Sequence, residues 1–212
     1  MSRRLLQIIA ICAVVLVGGA ASADPPKADL ELEIRSDADD NAPLRVELDA
    51  ERTRGVMRIG VGSDVWTSPV YPMFDADTAD LDGDGRDEVI LGIWSQKKRH
   101  GENPPRRTVW VMRWTGDDLR PLWRGSTLAR PLVDYVVGDI SGDASAELVA
   151  MERIEEQCML SAYAWNGFGF GAMDARQISC DTKLDGSTAG CLLIDSGRRC
   201  FQLTDGAFDE AR

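Results

Sequence analysis

The side chains best suited to chemistry in this chain are the carboxylates between positions 80 and 88. The segment reads Asp-Leu-Asp-Gly-Asp-Gly-Arg-Asp-Glu, which places Asp80, Asp82 and Asp84 at alternate positions. Calcium takes six to eight oxygen ligands at about 2.3–2.6 Å, and a glycine at the sixth loop position allows the sharp turn that gathers the carboxylates. We therefore predict a calcium site in which these three aspartates are ligands, together with the backbone carbonyl of Arg86 and the carboxylate of Glu88.

The residues that flank this loop favour strands over the helices of an EF-hand. An EF-hand needs a glutamate at the twelfth loop position, where this chain has Leu91 at the end of the apolar run 89–91. Asp75 and Asp77, which precede the loop, are expected to be solvated rather than ligating. A metal-free acidic turn is the alternative interpretation of the whole loop.

A second acidic loop repeats this pattern further along the chain, but it offers fewer ligands. Its carboxylates are Asp139, Asp143 and Glu147, and Ser141 stands where the first loop has its second aspartate. Ala144 takes the place of the glycine, which costs about 1–2 kcal/mol if that residue must be left-handed. We expect a structural turn that holds no metal at physiological calcium, and a weak metal site is the alternative.

Hairpin signals recur around these loops and indicate a repetitive all-β fold. Short β-rich runs at residues 109–114, 160–165 and 200–203 end in Gly-containing turns, and the run 56–59 resembles the first of them. A worn third copy of the acidic loop is predicted at residues 181–187. No stretch beyond the N-terminal leader keeps a helical apolar period for three turns. We predict an all-β, β-propeller-like repeat of about three to four blades, either an open arc or a small closed ring.

The first acidic loop resembles the calcium loop of the FG-GAP and VCBS-type repeats, which build the β-propellers of integrin α-subunits and occur in many exported bacterial proteins. The match is specific over about twelve residues from Asp80 and, with the hairpins, extends over most of residues 43–212. The Phe-Gly and Gly-Ala-Pro signatures of the family are absent, and the chain is too short for the seven blades of its full propellers. The resemblance therefore implies the blade type and the calcium loop rather than a complete ring.

The first 23 residues are predicted to be a cleavable signal peptide. Arg3 and Arg4 precede an apolar run over residues 5–17, and residues 21–23 form an Ala-Ser-Ala cleavage site before Asp24. The apolar run is shorter than the roughly 20 residues that span a bilayer, so we predict cleavage at this site and no membrane span in the mature chain. The predicted location is the periplasm or the extracellular space.

The mature chain is predicted to consist of an acidic, loosely ordered arm and one repeat domain. The arm covers residues 24–42, with a strand near residues 30–34, and the repeat domain covers residues 43–212. The net charge of −11 becomes −13 without the leader, because the leader carries two arginines and no acidic residue. Such a charge argues against binding to nucleic acid or to anionic membranes, and it favours cations.

Four cysteines remain after the leader is removed, which suits two disulfides in an oxidising compartment. A hairpin centred just after Asp195 would place Cys191 directly opposite Cys200, within disulfide range. Cys158 and Cys180 then pair by elimination. A zinc site is disfavoured because the spacing contains no Cys-x-x-Cys.

The sequence favours partner binding over catalysis. The single histidine, His100, lies in the basic stretch 97–107, and no nucleophile motif accompanies it. We predict a non-enzymatic module for protein interaction or cell-envelope structure, whose partner is a protein or a glycan outside the cytoplasm. An open arc would also leave strand edges through which the chain could form oligomers. The alternative is a carbohydrate-binding or carboxylate-based carbohydrate-active protein.

Overall fold

The computed structural model describes residues 28–36, 41–97, 105–125, 128–188, 190–195, 197 and 199–211, and all of its regular structure is antiparallel β-sheet. The first sheet holds β1 (Ala28–Ile34), β2 (Ala42–Leu48), β3 (Gly55–Val61) and β4 (Asp64–Thr67), and the second holds β5 (Met73–Ala79), β6 (Glu88–Ser95), β7 (Arg106–Trp114) and β8 (Leu119–Arg124). The third sheet holds β9 (Leu132–Gly138), β10 (Glu147–Ile154), β11 (Gln157–Trp165) and β12 (Phe170–Ile178), and the fourth holds β13 (Leu184–Thr188), β14 (Cys191–Ile194), β15 (Arg199–Thr204) and β16 (Ala207–Ala211).

The four sheets are the blades of a β-propeller. Within each sheet the strands follow chain order, and the first strand of each sheet packs beside the first strand of the next: β1 beside β5, β5 beside β9 and β9 beside β13. Radial repetition of four-stranded sheets is the propeller architecture. The predicted all-β, propeller-like class is therefore confirmed, with four blades.

The hydrophobic core is divided into three clusters, each between two consecutive sheets. The first joins sheets one and two around residues such as Val46 and Leu91, and the second joins sheets two and three around Ile90 and Leu148. The third joins sheets three and four around Phe201 and its neighbours. In the described part of the chain, no cluster joins the fourth sheet to the first.

The burial of the second strand in each sheet shows the same serial packing. Residues 88–93 of β6 and 147–152 of β10 are buried at every position, because their two faces enter two different clusters. In β2, buried residues alternate with exposed or partly exposed ones, and in β14 they alternate with partly exposed ones. A strand with period-two burial has one face in the core. The first and fourth sheets therefore each bury one face among the described residues.

A repeated backbone hydrogen bond ties each blade to the next. In each case the donor is the amide of the residue directly before the second strand of a sheet. The acceptor is the carbonyl of the residue directly after the first strand of the preceding sheet. The bonds run from Asp87 to Arg35 (3.0 Å), from Ala146 to Asp80 (2.7 Å) and from Gly190 to Asp139 (2.7 Å). These bonds join the loops between first and second strands of consecutive blades to one another at one end of the propeller.

The four predicted hairpins are the third and fourth strands of the four sheets, β3–β4, β7–β8, β11–β12 and β15–β16. The two acidic loops join the first and second strands of the second and third sheets. The segment 181–187 differs from them, because it runs into β13 instead of lying between β13 and β14. It is therefore not a third copy of the acidic loop.

The first sheet begins within the segment that was expected to be a loosely ordered arm. β1 pairs with β2 along its whole length, and Ile34 is buried while Leu30 and Leu32 pack against the first cluster. This alternation of apolar and acidic residues suits a strand at the edge of a sheet. The predicted signal peptide and the first residues of the arm lie outside the described residues. No helix long and apolar enough to cross a bilayer occurs among those that are described.

Both predicted disulfides are present, but the register of the hairpin that carries Cys191 and Cys200, β14–β15, is not the predicted one. Cys158 is bonded to Cys180, and Cys191 is bonded to Cys200 with a Cα–Cα distance of 5.7 Å. The residue opposite Cys200 is Leu193 rather than Cys191. The turn is centred one residue later than predicted, and the disulfide therefore joins diagonal rather than facing positions.

Candidate metal centre

The first acidic loop closes around the carboxylate of Asp80. Its Oδ1 accepts hydrogen bonds from the amides of Gly83 (2.8 Å) and Asp84 (3.1 Å), and its Oδ2 accepts one from the amide of Gly85 (2.8 Å). Gly85 has a φ of 88°, a left-handed conformation that glycine adopts without steric cost. The alternation of aspartate and glycine thus folds the chain into a tight turn whose amides surround one buried carboxylate.

Glu88, the first residue of β6, is fully buried at the base of this loop. Its Oε2 accepts a hydrogen bond from the amide of Leu81 (3.1 Å), and its Oε1 accepts one from Nε of Arg113 (2.8 Å). Nη2 of Arg113 also donates to the same oxygen. Burial raises the pKa of Glu88, although the hydrogen bonds from Arg113 and Leu81 oppose this shift.

Arg113 reaches three of the predicted calcium ligands. Besides Glu88, its Nη2 donates to Oδ2 of Asp82 at 2.9 Å, and its Nη1 lies 3.4 Å from Oδ2 of Asp84. Burial acts to lower the pKa of Arg113, but its bonds to Glu88 and Asp82 outweigh burial and the net pKa is raised. The guanidinium therefore stays charged among the carboxylates.

Three of the predicted ligands converge on one point. Carboxylate oxygens of Asp80, Asp82 and Glu88 all lie within 4.8 Å of one another. Two oxygens bound to one calcium ion at about 2.3–2.6 Å lie no more than about 5 Å apart, so this spacing and this donor set fit calcium. Asp84 is instead paired with Arg86 (Nη2–Oδ2, 2.6 Å), and this hydrogen bond lowers the pKa of Asp84. Ligation by the carbonyl of Arg86 stays a prediction.

The second acidic loop repeats two of the three hydrogen bonds that backbone amides donate to the first aspartate of the loop. Asp139 accepts from the amides of Gly142 (2.6 Å) and Ala144 (3.1 Å), as Asp80 does from Gly83 and Gly85. Ala144 has a φ of 75°, so the left-handed conformation is retained without glycine. The second loop therefore carries a local strain that the first loop avoids.

The side chains of the second loop are less suited to a divalent ion. Glu147 is buried and its Oε2 accepts from the amides of Ile140 (2.9 Å) and Ser141 (3.2 Å), while Asp143 caps the amide of Ser145 (2.9 Å). The hydroxyl of Ser141 is buried without a hydrogen-bond partner among the described residues. In the described part of the chain, only the first loop brings three carboxylates within 4.8 Å of one another.

Two features of this region were not anticipated from the sequence. Arg113 was not assigned to the site. Its position between two apolar residues that are buried, Met112 and Trp114 of β7, was a signal that its charge needs a partner. Asp75 and Asp77 were expected to be solvated, but they lie half-buried on β5 beside the third blade. Burial raises the pKa of both, that of Asp77 to about 6.

The remaining predicted features of the surface are only partly described. The greater part of the basic stretch, including His100, lies outside the described residues. Comparison with protein-family models gave no match, and comparison with curated proteins gave no significant match.

Proposed function

We propose that this protein is an exported, calcium-binding β-propeller module of the FG-GAP or VCBS type that binds a partner outside the cytoplasm and does not catalyse a reaction. The observation that supports it most directly is the convergence of Asp80, Asp82 and Glu88 within 4.8 Å in a loop between the first two strands of a blade. The propeller fold supports a role in interaction, because its blades present rows of loops at both ends.

The three converging carboxylates would hold the ion, and Asp84 would join them by exchanging its bond to Arg86 for the metal. Bound calcium would supply positive charge that offsets the mutual repulsion of these side chains and fixes the loop. The tip of this loop lies against the second acidic loop, since a Cβ placed on Gly83 would come within 2.9 Å of the hydroxyl oxygen of Ser145. An ordered first loop would therefore also order its neighbour.

Export is supported by the two disulfides, which persist in oxidising compartments, and by the predicted signal peptide. The partner in this proposal is a protein or a glycan. The packing of the described residues leaves one face of the first and fourth sheets exposed or only partly buried, which is compatible with association of blades from separate chains.

The metal proposal is tested by calorimetric titration of calcium into the mature chain in metal-free buffer, with thermal melts in parallel. We expect saturable binding, and an increase in melting temperature because an ion that binds the folded state alone stabilises it. Glu51→Gln is the control, because Glu51 is an exposed carboxylate in the β2–β3 turn, which meets the opposite end of β6 through the hydrogen bond from Trp94 to the carbonyl of Arg52. Absence of both binding and a shift at about 10 mM calcium, which exceeds the range of weak extracellular sites, would reject the metal.

Export is tested separately by N-terminal sequencing of the protein recovered from the periplasm or medium of the producing cell. The expected first residue is Asp24. A mature chain that still begins at Met1 and remains in the cytoplasm would reject the proposed location.

A further inference from the structure

We propose that Arg113 is a built-in cation of the first acidic loop and that it sets the affinity of this loop for calcium by competing for the same carboxylates. This inference rests on the proposed calcium function of the loop. It assigns the control of metal affinity to Arg113, which lies outside the loop on β7.

The geometry places the guanidinium where it neutralises the loop. Nη2 of Arg113 donates to Asp82 and to Glu88, and Nη1 lies 3.4 Å from Asp84. Glu88 is 0% exposed. A buried carboxylate is stable as an ion only with a charged or hydrogen-bonding partner, and Arg113 supplies a charged one to Glu88.

Arg113 and a metal ion cannot use these carboxylates fully at the same time. Calcium coordinated by Asp82 and Glu88 would lie within bonding distance of the oxygens that now accept from Nη2. A divalent cation and a guanidinium that share two carboxylates repel each other strongly at such separations. The metal therefore binds by displacing the guanidinium from at least one of them.

The second acidic loop shows that the arginine is not needed to form a loop of this shape. In the second sheet Glu88 faces Arg113 across β6 and β7. In the third sheet Leu148 faces Tyr163, so the residue opposite the equivalent Glu147 is Ala164. Two amide hydrogen bonds to the first aspartate of the loop nevertheless match between the two loops. The presence of the arginine thus goes with the additional carboxylate of the first loop, Asp82, which Ser141 replaces in the second loop. It is not a requirement of the loop conformation.

The test compares calcium titrations of the wild type, Arg113→Gln and Arg113→Lys in metal-free buffer, with thermal melts in the presence of chelator. We expect Arg113→Gln to bind calcium about tenfold more tightly or better, because a competing positive charge has been removed. Its melting temperature with chelator should fall, and its calcium-induced increase should exceed that of the wild type. Arg113→Lys should bind more tightly than the wild type by a smaller factor, since lysine keeps the charge but makes fewer bonds.

The matched control is Arg58→Gln. Arg58 lies on the third strand of the first sheet and pairs with a glutamate of the second strand, Glu47, at 3.0 Å, so it reproduces the cross-strand pair away from the loop. Its calcium affinity should equal that of the wild type.

Each result separates this inference from the proposed function. Tighter calcium binding by both Arg113 variants supports the inference. If Arg113→Gln binds calcium and the wild type binds none, the inference holds, but the proposed metal function of the native chain fails. Unchanged or weaker binding by Arg113→Gln, or no binding by any of the three proteins, overturns the inference. If Arg113→Gln does not fold, Arg113→Lys decides, and binding no tighter than that of the wild type overturns it.

Discussion

Arg35 and Asp87 form a two-point salt bridge between the first and second blades. Nη2 and Nε of Arg35 donate to Oδ1 of Asp87 at 2.7 and 3.1 Å, and the backbone amide of Arg35 donates to Oδ2 at 2.8 Å. Asp87 is 8% exposed, so its carboxylate depends on these partners. The pair lies beside the inter-blade hydrogen bond from Asp87 to Arg35 and reinforces the same junction.

Replacing Arg35 with Ala should lower the free energy of unfolding by about 1–2 kcal/mol, because it leaves a nearly buried carboxylate with fewer partners. Chemical denaturation measures the loss. Arg45→Ala is the control, since Arg45 pairs with Asp29 at 2.6 Å on an exposed face, where solvent screens the pair and its contribution to stability is small. Equal losses in the two variants would show that the junction does not depend on the buried carboxylate.

The two acidic loops should differ in their contribution to calcium binding. Asp82→Ala removes one of the three converging carboxylates and should abolish most calcium binding and most of the calcium-dependent increase in melting temperature. Asp143→Ala should leave both nearly intact, because Asp143 lies in the loop that is expected to hold no metal. Calorimetric titration of both variants beside the parent makes the comparison. Equal loss in the two would contradict the ranking of the loops.

The strain at Ala144 predicts a stabilising substitution. Ala144→Gly should raise the free energy of unfolding by about 0.5–1 kcal/mol, because relief of the left-handed alanine exceeds the entropy that glycine gains in the unfolded chain. Gly85→Ala is the reciprocal variant and should cost about 1–2 kcal/mol through backbone strain alone, because no atom lies within 4 Å of a Cβ at that position. Both are measured with chelator present. Destabilisation by Ala144→Gly would mean that Ala144 carries no strain.

Asp77 predicts a pH dependence of stability. Burial raises its pKa from 3.8 to about 6, so ionisation is less favourable in the folded protein than in the unfolded chain. The contribution of Asp77 to the stability should therefore fall as the pH rises from about 4 to about 6 and stay lower above that range.

Asp77→Asn should remove this contribution and raise the free energy of unfolding at pH 8 by about 1–2 kcal/mol, allowing for the partial exposure of the side chain. The two proteins should converge near pH 4. Denaturation curves between pH 4 and 8 measure the difference, and Asp117→Asn serves as the exposed control. A constant difference over the whole range would exclude titration of Asp77 as its cause.

Much of the fold can be read from local sequence signals. The Asn-Gly turn at 166–167 and its counterparts predict the third and fourth strands of each blade, because a tight turn between β-rich runs specifies a hairpin within a few residues. The patterns of β2 and β6 also differ in the sequence itself. Charged residues appear at alternate positions in the second half of β2, whereas residues 89–93 of β6 carry no charge, so the residue pattern alone distinguishes a strand with one covered face from a strand with two.

Register is the first property that the sequence did not determine. The hairpin between Cys191 and Cys200 predicted their disulfide correctly, but it predicted them in facing positions, whereas Cys200 lies opposite Leu193. Asp195 and Gly197 both have positive φ, 54° and 70°, and the strands that flank them pair about a centre one residue later than predicted. Local composition marks a turn here but does not select among neighbouring centres of similar energy.

The electrostatics of the acidic loop were decided by tertiary structure. The sequence by itself determined the donors, because the spacing of Asp80, Asp82 and Glu88 folds them together within one turn. Arg113 lies 31 positions after Asp82, and no local pattern joins them. They meet because β7 is aligned with β6 in one register, and that alignment is selected by the packing of both strand faces into two separate clusters. Since this packing is a sum of many contacts between distant residues, only the folded blade places Arg113 beside the carboxylates.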